Sequence, residues 1–91
     1  MKTKISKTRA IKQARENSCM YRQGDQWIVS TWNEERQARI LSHAMDFWQA
    51  RSCLLEWRFD YVLELLEIEY IGEVEGCLES RVDYAIYCLN N

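Results

Sequence analysis

From about Asp46 to residue 71 the chain carries a helical period that leaves the rest of the molecule little freedom. Leu55, Phe59, Val62, Leu63, Leu66 and Tyr70 fall within one arc of the helix. Leu54, Trp57, Tyr61, Leu65 and Ile68 fall within the arc beside it. Glu56, Asp60, Glu64 and Glu67 fill the narrow remainder. A helix that is apolar over most of its circumference cannot stand in water by itself. A chain of 91 residues covers such a helix only as a single domain, residues 1–91. With 47% hydrophobic and 12% aromatic residues the composition supports a small core and argues against disorder.

The remaining segments divide by period and by turn chemistry. Residues 6–17 predict a short amphipathic helix capped by Ser6, with Ala10, Ile11 and Ala14 as a thin apolar stripe. So thin a stripe needs a docking surface. Residues 19–32 predict a β-hairpin, because Gly24–Asp25 suits a type II′ turn and the arm from Trp27 to Trp32 is rich in β-branched and aromatic residues. Apolar groups on both faces of that arm make it the central strand. Residues 33–36 either cap a helix or turn into a third strand over residues 37–42. The third strand is preferred, since a lone hairpin is marginal. The rival, a helix from 34 to 71, would run about 57 Å, too long for a domain of this size. Gly72 is the expected C′ residue of the long helix. Over residues 67–75 acidic and apolar residues also alternate with period 2, which would suit a strand. We take helix to about 71 followed by a turn. A last helix spans roughly 77–89, with Leu78, Val82, Ala85 and Leu89 on one face. The fold class is therefore α+β: a short N-terminal helix, a small antiparallel sheet of a hairpin and a third strand, then two helices.

Charge is distributed unevenly. Residues 1–33 hold seven basic and two acidic side chains, and residues 34–91 hold five basic and twelve acidic, so about +5 is followed by about −7. Such a split points to a charged partner surface. Between Phe59 and Ser80 there are seven acidic residues and no basic one. Carboxylates at one-turn spacing can imitate a row of phosphates and meet Arg- and Lys-rich sites. Glu56, Asp60, Glu64 and Glu67, with Trp57 and Tyr61 as aromatic anchors, are accordingly the candidate partner-binding residues, and Tyr84 and Tyr87 could add to such a surface. The alternative is nucleic-acid binding through Lys7, Lys12, Arg15 and Arg22. The overall negative charge weighs against it, and direct nucleic-acid binding is not the expected mode.

Catalytic motifs are missing. The sole histidine, His43, has Ser42 and Asp46 nearby, but adjacent side chains diverge, and a nucleophile needs a base held against it. Cys53 is a remote candidate partner for His43. Cys19, Cys53, Cys77 and Cys88 show no paired spacing, so neither a metal site nor a disulfide framework is expected; they read as small core hydrophobes. No cofactor is expected, no segment reads as a membrane span or secretory leader, and the cytosol is the expected compartment.

The order of segments in "KTRAIKQARENSCMYRQGDQWIVSTW" and "DFWQARSCLLEWRFDYVLELLE" resembles small phage or mobile-element inhibitor proteins of the anti-CRISPR kind. The resemblance covers the whole chain in style and is carried by no motif, so it assigns no residue. It implies a non-enzymatic protein-binding inhibitor acting in a host cytosol. The implied partner is a protein with a basic, nucleic-acid-binding surface, and a second copy of the chain is a further candidate.

Overall fold

A computed structural model describes residues 5–70, 72 and 74–90. The long apolar helix organises the molecule. It runs over Phe47–Leu66 and follows three shorter elements: a helix α1 (Lys7–Glu16), and strands β1 (Ser18–Gln23) and β2 (Gln26–Asn33). A third strand, β3 (Ala38–Leu41), precedes the long helix, α2, and a last helix, α3 (Leu78–Leu89), closes the chain. The antiparallel sheet has the order β1-β2-β3, so the strand with apolar groups on both faces is central.

Local chemistry accounts for most boundaries. The Ser6 hydroxyl accepts from the Arg9 N–H at 3.2 Å and starts α1. Gly24 takes φ +67 between strands that pair Gln23 with Gln26, as a two-residue hairpin requires. At residues 33–36 the Asn33 carboxamide accepts from the Arg36 N–H at 2.8 Å, which curls the backbone into a turn before β3. Beyond β3 the chain stays beside β2: Met45 and Trp27 exchange backbone hydrogen bonds of 2.7 and 3.0 Å, and His43–Ala44 bulge out between the two contacts. Asp46 and Gln49 then form a reciprocal capping box at the start of α2.

The C-terminal end of α2 corrects the sequence expectation. The helix stops at Leu66, five residues before the expected end at 71, and Glu67, not Gly72, takes the left-handed conformation at φ 56. The Glu67 N–H bonds to the Glu64 carbonyl at 3.1 Å and the Ile68 N–H to the Leu63 carbonyl at 2.9 Å. That pair of bonds is a Schellman closure, and Ile68 packs on the cluster that holds Leu63. Carboxylates at 64 and 67 with no basic residue in the last turn oppose the helix dipole, which favours stopping early. The alternative of a strand over 67–75 is not seen at the described positions of that stretch; residues 71 and 73 lie outside them.

Because α2 is apolar on most sides, it serves two cores. Its first half places Ala50 and Leu54 against Val29 and Met45, with Met20, Trp27, Cys53 and Trp57 around them. Its second half places Phe59, Val62 and Leu63 against α1, through Ala10, Ile11 and Ala14, and against α3, through Leu78, Val82 and Ala85. Leu89, expected on the buried face of α3, is 60% exposed, since it lies past the last turn that α2 covers. The cysteines also depart from expectation. Cys19, Cys77 and Cys88 are exposed and only Cys53 is half-buried. Cys19 lies on the sheet face away from α2, Cys77 caps α3, and Cys88 sits outside the Val82–Ala85 stripe.

Arg58 ties the two cores together. Its guanidinium donates to the Ser18 hydroxyl at 2.7 Å, the Ser18 carbonyl at 3.1 Å and the Arg15 carbonyl at 3.5 Å. It thereby joins α2 to the start of β1 and supplies a cation to the C-terminal end of α1. Burial, followed by repulsion from Arg15, holds its pKa below the usual arginine range. Ser18 itself is buried and donates to the Ala14 carbonyl at 2.6 Å.

Candidate functional site

The helix α2 packs on β1 and β2, whereas β3 packs on β2 alone. A wedge is left open between the second half of α2 and the β3 side of the sheet, a cleft of about 720 Å³. From the sheet it is lined by Thr31, Trp32, Asn33 and Ile40, and from α2 by Trp57, Tyr61 and Leu65. Ile5, just ahead of α1, closes one end. The lining surface is mainly apolar. Asp60 and Glu64 on α2, Glu67 just past it, and Glu34 just past β2 are the acidic residues of the lining. Among the described residues, no lysine, arginine or histidine lines the cleft.

The candidate partner-binding residues are distributed around this cleft in a specific way. Asp60, Glu64 and Glu67 are exposed and line it; Glu56 is exposed but lies a turn earlier, outside the lining. Burial, and secondarily the charge of Glu56, pushes the Asp60 carboxyl above the ordinary aspartate range. Trp57 is half-buried, with part of its surface on the sheet core and part on the cleft. Tyr61 is not a protruding anchor. It is 9% exposed, and its hydroxyl accepts from the side-chain amides of Asn17 at 3.0 Å and Gln13 at 3.3 Å. The ring is a wall of the cleft, and the hydroxyl is turned to α1.

Residues from the sheet side of the cleft were not picked out from the sequence. Glu34, Trp32 and Ile40 lie far from α2 along the chain and reach it only through the pairing of β2 with β3. Their nearest sequence signal was the preference for a third strand at 37–42.

The basic candidates are mostly engaged with the protein's own carboxylates. Lys7 pairs with Asp83 at 2.6 Å, Arg15 with Glu79 at 2.5 Å, and Lys12 with Glu16 at 3.8 Å. The Glu79 carboxyl is held below its usual range by its own backbone N–H at the start of α3 and by Arg15. The first two pairs dock α1 against α3, the third lies within α1, and a shallow depression of about 530 Å³ lies along the seam. Arg22 is separate, at the far end of β1, where it donates to the Gly24 carbonyl at 2.8 Å. Lys2 and Lys4 lie outside the described residues.

Elsewhere, Tyr84 and Tyr87 are 49% and 63% exposed on α3, and an edge-to-face chain runs from Phe59 through Tyr70 to Tyr84. His43 is exposed on the bulge after β3. Burial, aided by the Glu56 charge, raises the Cys53 thiol above its usual pKa, the opposite of what activates a nucleophile. Among the described residues no group of three or more His, Cys, Asp or Glu side chains could hold a metal ion, and no helix is long and apolar enough to cross a membrane.

In comparisons with known proteins, no family model, no curated protein and no solved structure matches this chain. The fold and the cleft therefore define no more than a class: a small α+β domain with an acid-rimmed, apolar-floored cleft between its long helix and its sheet.

Proposed function

We propose that this chain is a non-enzymatic protein-binding module that inhibits a nucleic-acid-handling complex by occupying its basic surface, in the manner of anti-CRISPR inhibitors. One observation carries the reading: Asp60 and Glu64 line a mainly apolar cleft together with Glu67, and among the described residues none that lines it is basic. The carboxylates supply long-range attraction to a lysine- and arginine-rich surface, and Trp57 and Leu65 supply the apolar contact that converts an encounter into a complex. The intramolecular pairing of Lys7 and Arg15 supports the same reading, because it diverts the basic N-terminal segment from a phosphate backbone to α3.

Competition tests it. A partner captured on the immobilised protein should be displaced by that partner's own nucleic acid. The Asp60, Glu64 and Glu67→Lys triple variant should fold normally, since exposed substitutions change stability by about 0.5 kcal/mol or less each, and should associate far more slowly than wild type. A complex that still binds nucleic acid with unchanged affinity, or a folded triple variant with the wild-type association rate, would overturn the proposal.

A further inference from the structure

We propose that the outer edge of β3 and the cleft beside it form one strand-addition site. It takes an extended segment of a protein partner, with apolar residues at alternate positions and basic residues flanking them. The proposal rests on the protein-binding reading above and specifies the backbone conformation of what binds. The first argument is the register. β2 and β3 pair Ser30 with Leu41, Thr31 with Ile40 and Trp32 with Arg39. The next pair along is bonded, since the Ser42 N–H donates to the Val29 carbonyl at 2.9 Å. Bonded and non-bonded pairs alternate in an antiparallel ladder, so Arg39 and Leu41 turn their N–H and C=O groups away from β2. The Trp32 N–H agrees with this phase: it points away from β3 and donates to the Asn17 carbonyl at 3.0 Å. Among the described residues only β2 packs on β3, and no backbone group outside β2 bonds to it. The other edge of the sheet differs: α1 and α2 both pack on β1, and Arg58 takes the Ser18 carbonyl. Open N–H and C=O groups along an exposed edge are a template for another strand.

The second argument is where an added strand sends its side chains. Successive residues alternate between faces, so those level with Ile40 point to the same side of the sheet as Ile40. Ile40 and its partner Thr31 line the cleft, as do Trp57 and Leu65 of α2, and the lining is mainly apolar. A cleft of about 720 Å³ has room for several side chains of such a strand. The third argument is charge. Asp60 and Glu64 line the same cleft and form no salt bridge with a described basic residue. A second copy that paired β3 with β3 would offer only Ala38 and Ile40 on that side. Its two-fold symmetry would also bring its own Asp60 and Glu64 to the same face of the joined sheet. A basic segment of another protein replaces that repulsion by attraction.

The test uses the blocked peptide acetyl-Lys-Thr-Val-Thr-Leu-Thr-Lys-amide, whose valine, leucine and lysine side chains share one face. Two further versions carry N-methyl groups, one on the threonine amides and the other on the valine and leucine amides. Titration of the whole chain is followed by its amide resonances and by hydrogen exchange. The unmodified peptide should bind below millimolar concentration and slow exchange of the Arg39 and Leu41 amides by about tenfold. The Ile40 amide, already turned to Thr31, should change little. Methylation of one alternate set should abolish binding and methylation of the other should leave it, because only one edge of an added strand faces β3. Leu41→Pro removes an outward N–H, a change that an edge strand tolerates. The variant should keep the circular dichroism spectrum and lose the peptide; should it unfold, the two methylated peptides still decide. No binding at millimolar peptide, protection at a site other than β3, or equal effects of the two methylations would overturn the proposal. So would a free protein that sediments as a dimer and is dissociated by Leu41→Pro, which assigns the edge to a second copy. A folded Leu41→Pro protein that binds the captured whole partner with wild-type affinity would overturn strand addition and leave the broader acidic-surface reading standing. The displacement experiment judges that reading separately.

Discussion

At the residue scale, Glu67 carries more than charge. It closes α2 in a left-handed conformation at φ 56, where a Cβ costs about 1 kcal/mol, and it also stands at the cleft rim. Replacing it separates the two roles. Glu67→Gly and Glu67→Ala remove the same carboxylate, but only glycine relieves the backbone. The glycine variant should be the more stable of the two by about 1 kcal/mol in urea unfolding, and both should lose the same share of partner association rate. Equal stability of the two variants would mean that the Schellman closure holds Glu67 without strain. Tyr61 shows how a side chain can look like a binding anchor and act as a wall: with its hydroxyl held by Asn17 and Gln13, it fixes the position of α1 behind the cleft.

At the scale of elements, α2 is shared between two cores, and the junction depends on Arg58. Its guanidinium reaches two residues, Ser18 and Arg15, on two other elements. Arg58→Ala should destabilise the fold by about 2 kcal/mol, because several hydrogen bonds from a charged donor are lost at once. Arg58→Lys should recover only part of this, since an ammonium on a single stem cannot span the same acceptors. The check is the urea midpoint at constant m value. An alanine variant within experimental error of wild type would show that packing of α1 and β1 on α2 holds the junction alone.

For the whole molecule, the uneven charge along the sequence becomes partly neutralised on folding. The Lys7–Asp83 and Arg15–Glu79 pairs bring α1 against α3, whereas Asp60 and Glu64 at the cleft form no salt bridge with a described basic residue. The folded protein therefore presents an acidic face and a largely paired basic one. Little binding to DNA or RNA is expected at physiological salt. A gel shift at submicromolar protein that weakens steeply with salt, and is lost when Lys7, Lys12 and Arg15 become Glu, would contradict this.

What the sequence determined by itself was local. Ser6 as a cap, Gly24 at the hairpin turn, the start of α2 at Asp46 and the buried faces of α1 and α2 all follow from periodicity and from hydrogen bonds made within a few residues. What only the tertiary structure decided depends on contacts between distant segments. The end of α2 at Leu66 turned on a closure by Glu67 that ordinary preference assigns to glycine. The exposure of Cys19 and Cys88 turned on which face of a strand or helix α2 could reach. Arg58 finds its acceptors some 40 residues away along the chain, and periodicity carries no sign of such a partner. The carboxylate stripe was legible, because it lies on one helix. The cleft was not, because it exists only where β3 pairs with β2 and fails to reach α2, and the position of a gap is set by the packing of all the elements around it.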